Sequence, residues 1–102
     1  MSTDNPYTNE GQQRILALVR LLAGHEITGM SPKQIADQQS CSASLVTRDL
    51  ANLKQAGFAE QTPETNYWRL SPEVVQISLR HATALARAQD RLAEVQQRFS
   101  RT

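Results

Sequence analysis

The sequence predicts a mainly α chain carrying one small β-hairpin, and three observations lead there. Apolar residues recur at helical spacing in four separate stretches. Two helix starts carry the same punctuation, Ser31-Pro32 and Ser71-Pro72. Between them, two short β-prone runs flank a string of turn formers, Thr62-Pro63-Glu64-Thr65-Asn66. A chain of 102 residues has room for one domain and one appended helix.

Residues 1–8 are polar, contain Pro6 and predict a disordered tail. The first helix follows, with Ile15, Leu18, Val19 and Leu22 as its apolar stripe. Asn9 is placed to cap it, Gln12 to return the bond, and Gly24 to end it. Leu16 and Leu21 widen the apolar face beyond one contact, which suits a helix clamped between two partners. Ile27 to Met30 reads as a short extended piece. Ser31-Pro32-Lys33-Gln34 is then a capping box with proline at the first helical position. Ile35 and Ala36 face inward, and this second helix stops near Gln39.

Ser40-Cys41 forms a turn. Ser42 caps a third helix that runs to Gln55 or Ala56 and ends at Gly57, with Val46, Leu50 and Leu53 inward. Phe58 to Gln61 and Tyr67 to Leu70 are the strands, with Trp68 and Leu70 inward and Tyr67 and Arg69 outward. The last helix, about 72–99, carries a three-four seam that is ragged over Val74, Ser78 and His81 and regular over Leu85, Ala88, Leu92, Val95 and Phe99. So long a stripe cannot be buried on so small a domain, and a second copy is the natural partner.

A short capped helix, a tight turn, a second helix with a polar outer face and a hairpin make up a winged helix-turn-helix. The chain thus divides into a tail (1–8), a winged helix-turn-helix (9–71) and a dimerisation helix (72–102). The outer face of the third helix holds Ser44, Thr47, Arg48, Ala51, Asn52 and Gln55. An ordinary solvated face would carry more lysine and glutamate. Hydroxyls and amides at these positions suit base edges and phosphates, and Arg48 suits a guanine. Lys33 and Gln34 sit in the first turn of the preceding helix, where backbone N–H groups attract phosphate. Ser42 lies at the corresponding place on the third helix. At the wing, Arg69 favours DNA and Glu64 opposes it.

Formal net charge is only +1, so any DNA affinity rests on local distribution, and a shallow salt dependence is expected. His25 and His81 are isolated, which predicts no metal site. The single Cys41 reads as a small core residue, without a disulfide, and suits a reducing cytoplasm. Glycine-rich phosphate loops, paired carboxylates and triads are missing from the sequence, so neither an enzyme nor a cofactor is expected. Met1 to Glu10 has no apolar segment of a secretory leader, and no stretch suits a membrane span.

From Gln12 to about Ser78 the chain resembles the DNA-binding domain of IclR-type transcription regulators. The resemblance is carried by Arg14-Ile15-Leu16 through Leu22, by Ser31 to Ala36, by Ser42 to Leu50, and most specifically by Thr62-Pro63-Glu64-Thr65-Asn66-Tyr67-Trp68-Arg69-Leu70-Ser71. It implies a dimer whose third helix reads duplex DNA through Ala43, Ser44, Leu45, Thr47 and Arg48. Asn66-Tyr67 stands where the family often has Gly-Arg, so the expected wing contact is Tyr67 rather than a cation. Family members carry an effector-binding domain after the wing; here a helix follows, and no small-molecule effector is expected. The whole predicts a sequence-specific, repressor-like homodimer on double-stranded DNA, of bacterial or phage origin. A DNA-packaging oligomer resembling a phage small terminase subunit, and a winged helix used for protein contacts, are the competing readings.

Overall fold

A computed structural model describes residues 5–100. Six elements follow in order: α1 (Glu10–Leu22), α2 (Pro32–Gln39), α3 (Ala43–Gln55), β1 (Ala59–Gln61), β2 (Trp68–Leu70) and α4 (Pro72–Ser100). They fall into two compact units, one ending at Ser71 and one beginning at Pro72. The first is a winged helix: three helices and a two-stranded antiparallel wing. The second is α4 alone.

The helix starts behave as their residues dictate. The Asn9 side chain accepts the Gln12 backbone N–H at 2.9 Å. Gln12 returns nothing from its side chain, so this cap is one-sided. At α2 the box closes both ways. Ser31 Oγ accepts the Gln34 N–H (3.1 Å), and Gln34 Oε1 accepts the Ser31 N–H (2.9 Å). Ser42 Oγ accepts the Leu45 N–H at 3.3 Å to start α3. Between α2 and α3 the chain reverses through Ser40 in the left-handed region, φ 52°, and the Cys41 N–H closes the turn on the Ala36 carbonyl. Cys41 itself is half-buried.

The core lies where the helical stripes converge. Leu18, Leu22, Ile35, Val46, Leu50 and Leu53 are buried, and Met30, Ala59 and Leu70 close it from the wing side. α1 packs against α2 and β2, and α3 packs against α2 and β1. Leu16 stays exposed and Leu21 is half-buried, so the predicted clamp covers only part of the wide α1 face. In the wing, Ala59 faces Leu70, Glu60 faces Arg69 and Gln61 faces Trp68. Leu70 is buried, whereas Trp68 is only half-buried.

The stretch before α2 corrects one expectation. Ile27 to Met30 is not an extended piece. His25 to Gly29 is a turn, closed by the Gly29 N–H on the His25 carbonyl at 2.7 Å, and only Met30 pairs, bridging Trp68 through two 2.8 Å bonds. Gly29, at φ +72°, is what lets the chain turn there. Within the expected tail, the chain makes a local turn over Asn5–Thr8. Asn5 Oδ1 accepts the Tyr7 N–H (3.0 Å), and the Asn5 carbonyl accepts the Thr8 hydroxyl (3.0 Å). Residues 1–4 lie outside the described residues.

Gly24 and Gly29 separate two costs of adding a Cβ. Both have positive φ, but a Cβ on Gly24 meets nothing within 4 Å, whereas on Gly29 it meets the Trp68 carbonyl oxygen and Tyr67 Cβ at 3.0 Å. Gly24→Ala should therefore cost about 1 kcal/mol through the backbone alone, and Gly29→Ala clearly more, with loosening of the Met30–Trp68 bridge. Urea denaturation of both variants checks this; equal losses would contradict it.

Candidate nucleic-acid interface

α3 has two sides with different chemistry. Its inner side is the apolar stripe of Val46, Leu50 and Leu53. Its outer side presents Ser44, Thr47, Arg48, Ala51, Asn52 and Gln55, all exposed, together with Ala43 at the start. Leu45 is half-buried and forms an apolar shoulder. Ser42 Oγ lies 3.1 Å from Ser44 Oγ, so two hydroxyls stand together at the amino terminus, where unpaired backbone N–H groups favour anions.

The outer polar groups are pre-bonded in one sense. The Thr47 hydroxyl donates to the Ala43 carbonyl at 3.0 Å. Asn52 Nδ2 donates to the Arg48 carbonyl at 2.9 Å. The Thr47 hydroxyl hydrogen is thereby used, which leaves Oγ1 as an acceptor, and Asn52 keeps Oδ1 to accept and a second amide hydrogen to donate. Arg48, one turn into the helix, carries five donors and has no ion-pair partner among the described residues. Acceptors suit the amino groups of adenine and cytosine, and the arginine suits guanine O6 and N7. One helix face thus offers complementary partners to different base edges.

The flanking residues divide into those that remain available and those already engaged. Lys33 is exposed in the first turn of α2. Gln34 is committed to the capping box, with its amide NH2 left to donate. On the wing, Arg69 folds back. Its Nε and Nη2 each lie 2.8 Å from Glu60 Oε2, and Nη1 donates to the Glu26 carbonyl at 3.4 Å. The cross-strand register causes this, since Glu60 and Arg69 are directly opposed. The wing tip is an ordered polar turn. Thr62 and Thr65 hydroxyls meet at 2.6 Å, the Asn66 N–H reaches the Thr62 carbonyl at 2.9 Å, and Asn66 adopts φ 61°. Tyr67 stands beside it, 38% exposed. The wing therefore offers an aromatic phenol and amides, and its one cation is neutralised.

Sequence reasoning missed Asp49. Assigned to neither face of the third helix, it is 2% exposed. Both its oxygens are held by Arg14 of α1: Nε to Oδ2 at 2.5 Å and Nη2 to Oδ1 at 2.9 Å. The pair strengthens the guanidinium's hold on its proton, raising its already high pKa, chiefly through the hydrogen bond. The signal was present in the spacing. Asp49 falls three residues after Val46 and four before Leu53, inside the apolar stripe.

α4 forms a unit by itself, and none of its residues is buried. Leu85 (53%), Leu92 (59%), Val95 (41%) and Phe99 (76%) stay exposed at seam spacing, with Ala88 between them. Among the described residues no helix is long and apolar enough to cross a membrane, and no group of metal-ligating side chains gathers.

No protein-family model matches the chain, and no curated protein matches it. Among solved structures it is similar to the crystal structure of HmgR from Pseudomonas aeruginosa, with 30% sequence identity and a TM-score of 0.53. The match covers 66% of this chain and 26% of HmgR, so the chain spans about a quarter of that protein's length.

Proposed function

We propose that the chain is a sequence-selective double-stranded DNA-binding regulator of transcription, acting as a homodimer. The observation that supports this best is the outer face of α3. A solvated helix face normally carries neutralised charge pairs. This face instead carries an unpaired arginine and the exposed Thr47 and Asn52, each with an oxygen left to accept, on a helix whose opposite side is locked into the core. The likeness to HmgR is consistent with the IclR-type DNA-binding domain that the residues resemble.

In this reading α3 lies in the major groove. Arg48 reads a guanine, Thr47 and Asn52 accept from base amino groups, and Ala43 and Leu45 meet apolar base surface such as the thymine methyl. Ser42, Ser44, Lys33 and the Gln34 amide hold phosphates. Tyr67 and the wing tip follow the backbone, and Arg69 contributes only by leaving Glu60. Two copies associate through Leu85, Ala88, Leu92, Val95 and Phe99 of α4, and each fully buried large side chain adds about 1.5–3 kcal/mol. A dimer occupying its site represses by excluding other proteins.

Selection of bound sequences from a random duplex pool tests the reading directly. On the selected site, Arg48→Ala should lower affinity by about 1–3 kcal/mol and relax base choice at one position. Equal loss on selected and random duplex would assign Arg48 to the backbone instead. No duplex binding even at low salt would favour the protein-contact reading.

The full chain should sediment as a dimer at micromolar concentration, and Leu85→Asp with Leu92→Asp should yield a monomer with much weaker DNA binding. A wild-type monomer would remove the seam; a ring of many copies would favour packaging.

Salt dependence should be shallow. With Arg69 paired and Arg48 on a base, each copy brings Lys33 and Lys54 to the phosphates, so a dimer gives a log–log slope no steeper than about −4 at 0.9 per contact. Affinity measured over a salt series checks this, and a slope near −10 would reveal a basic surface elsewhere.

A further inference from the structure

The Arg14–Asp49 pair is the polar link between α1 and α3, and its geometry says more than that the domain is held together. Asp49 is the only charged side chain buried among the described residues. It directly follows Arg48, an exposed cation of the same helix, so the two side chains leave α3 about 100° apart. Fixing the direction of one fixes the direction of the other. The grip is two-pronged: Nε and Nη2 of one guanidinium take the two oxygens of one carboxylate. A bidentate contact sets rotation as well as distance, which a single hydrogen bond or an apolar contact does not.

Arg14 is itself anchored. Its backbone carbonyl accepts from Gln39 Nε2 at 3.2 Å, and Gln39 is the last residue of α2. The turn into α3 begins at the next residue. Three helices therefore meet at one polar point: α1 through Arg14, α2 through Gln39, α3 through Asp49. The Gln39 side-chain oxygen is buried without a partner, so the amide is spent on this one contact.

Resting on the DNA-binding reading of α3, we infer that Arg14 is a positioning residue for sequence recognition. It makes no contact with DNA. Its bidentate hold on Asp49 sets the rotation of α3 about its own axis, and so the aim of Thr47, Arg48 and Asn52. A rotation of α3 moves side chains relative to base edges, which demand fixed geometry, and leaves phosphate contacts nearly unchanged, since the backbone presents oxygens everywhere. The consequence is specific: loosening the pair costs discrimination between sites before it costs general affinity for duplex.

Two variants separate this from a merely structural role. Arg14→Lys keeps the charge and loses the second prong. The double variant Arg14→Met with Asp49→Leu removes both charges and leaves no carboxylate buried alone. Circular dichroism and urea denaturation establish the folded fraction of each full-length variant. Affinity is then measured, at matched folded protein, for the duplex that the wild-type chain selects from a random pool and for random duplex. The expected result is a fall of about tenfold or more in the ratio of the two affinities, with random-duplex affinity changed by less than the ratio. An unchanged ratio in either folded variant overturns the inference and leaves the DNA reading standing. A ratio near one for the wild-type chain, or no duplex binding by it, overturns both.

Discussion

A carboxylate withdrawn from water on the inner side of α3 constrains the whole first unit. An unpaired buried charge would be too costly to keep, so Asp49 requires a cation, and that cation must come from another element. Arg14 supplies it from 35 residues away. The pair can form only if α1, α2 and α3 settle in one arrangement, because Arg14 is held at its backbone by Gln39 at the end of α2. The apolar residues Leu18, Leu22, Ile35, Val46 and Leu50 make the three helices associate. Apolar burial is nearly indifferent to small rotations, whereas the fork of a guanidinium on a carboxylate is not.

Backbone conformation does comparable work at the joints. Ser40 at φ 52° reverses the chain between α2 and α3, and Gly29 at φ +72° delivers Met30 to Trp68. That isolated bridge ties the entry to α2 to the wing, so the hairpin is not left as a bare two-stranded ribbon, which would be marginal by itself. The Ser71 hydroxyl closes the opposite end by donating to the Gly57 carbonyl. The hairpin is thus tied at its edge by backbone bonds and at its base by a hydroxyl, and the short strands need only three residues each.

Charge is used sparingly. Arginine pairs with acid wherever the fold brings them within reach: Arg14 with Asp49, Arg69 with Glu60. In the first unit Arg20, Lys33, Arg48 and Lys54 keep no ion pair among the described residues. A net charge of +1 is still compatible with a local cationic patch on α3, because Asp49, the one acid of that helix, is held by Arg14. On α4, by contrast, the exposed stripe from Leu85 to Phe99 is apolar.

The helices and their ends were legible in the sequence because they depend on neighbours in the chain. Asn9, Ser31, Ser42 and Ser71-Pro72 mark starts through bonds or constraints spanning three residues, and Gly24 and Gly57 mark ends through positive φ. Periodicity assigned the inward stripes of α1 and α3, and with them the outward face that includes Thr47, Arg48 and Asn52. Three features were decided only by the folded arrangement. Asp49 shares the spacing of a core residue and the chemistry of a surface one, and only the arrival of Arg14 resolves which it is. Arg69 alternates outward along its strand, yet strand register sets Glu60 opposite and takes the charge away. Ile27 to Met30 has the composition of a strand, but only Met30 finds a backbone to pair with. In each case the deciding partner lies nine or more residues away, beyond the reach of local propensity, and its position follows from how the helices pack.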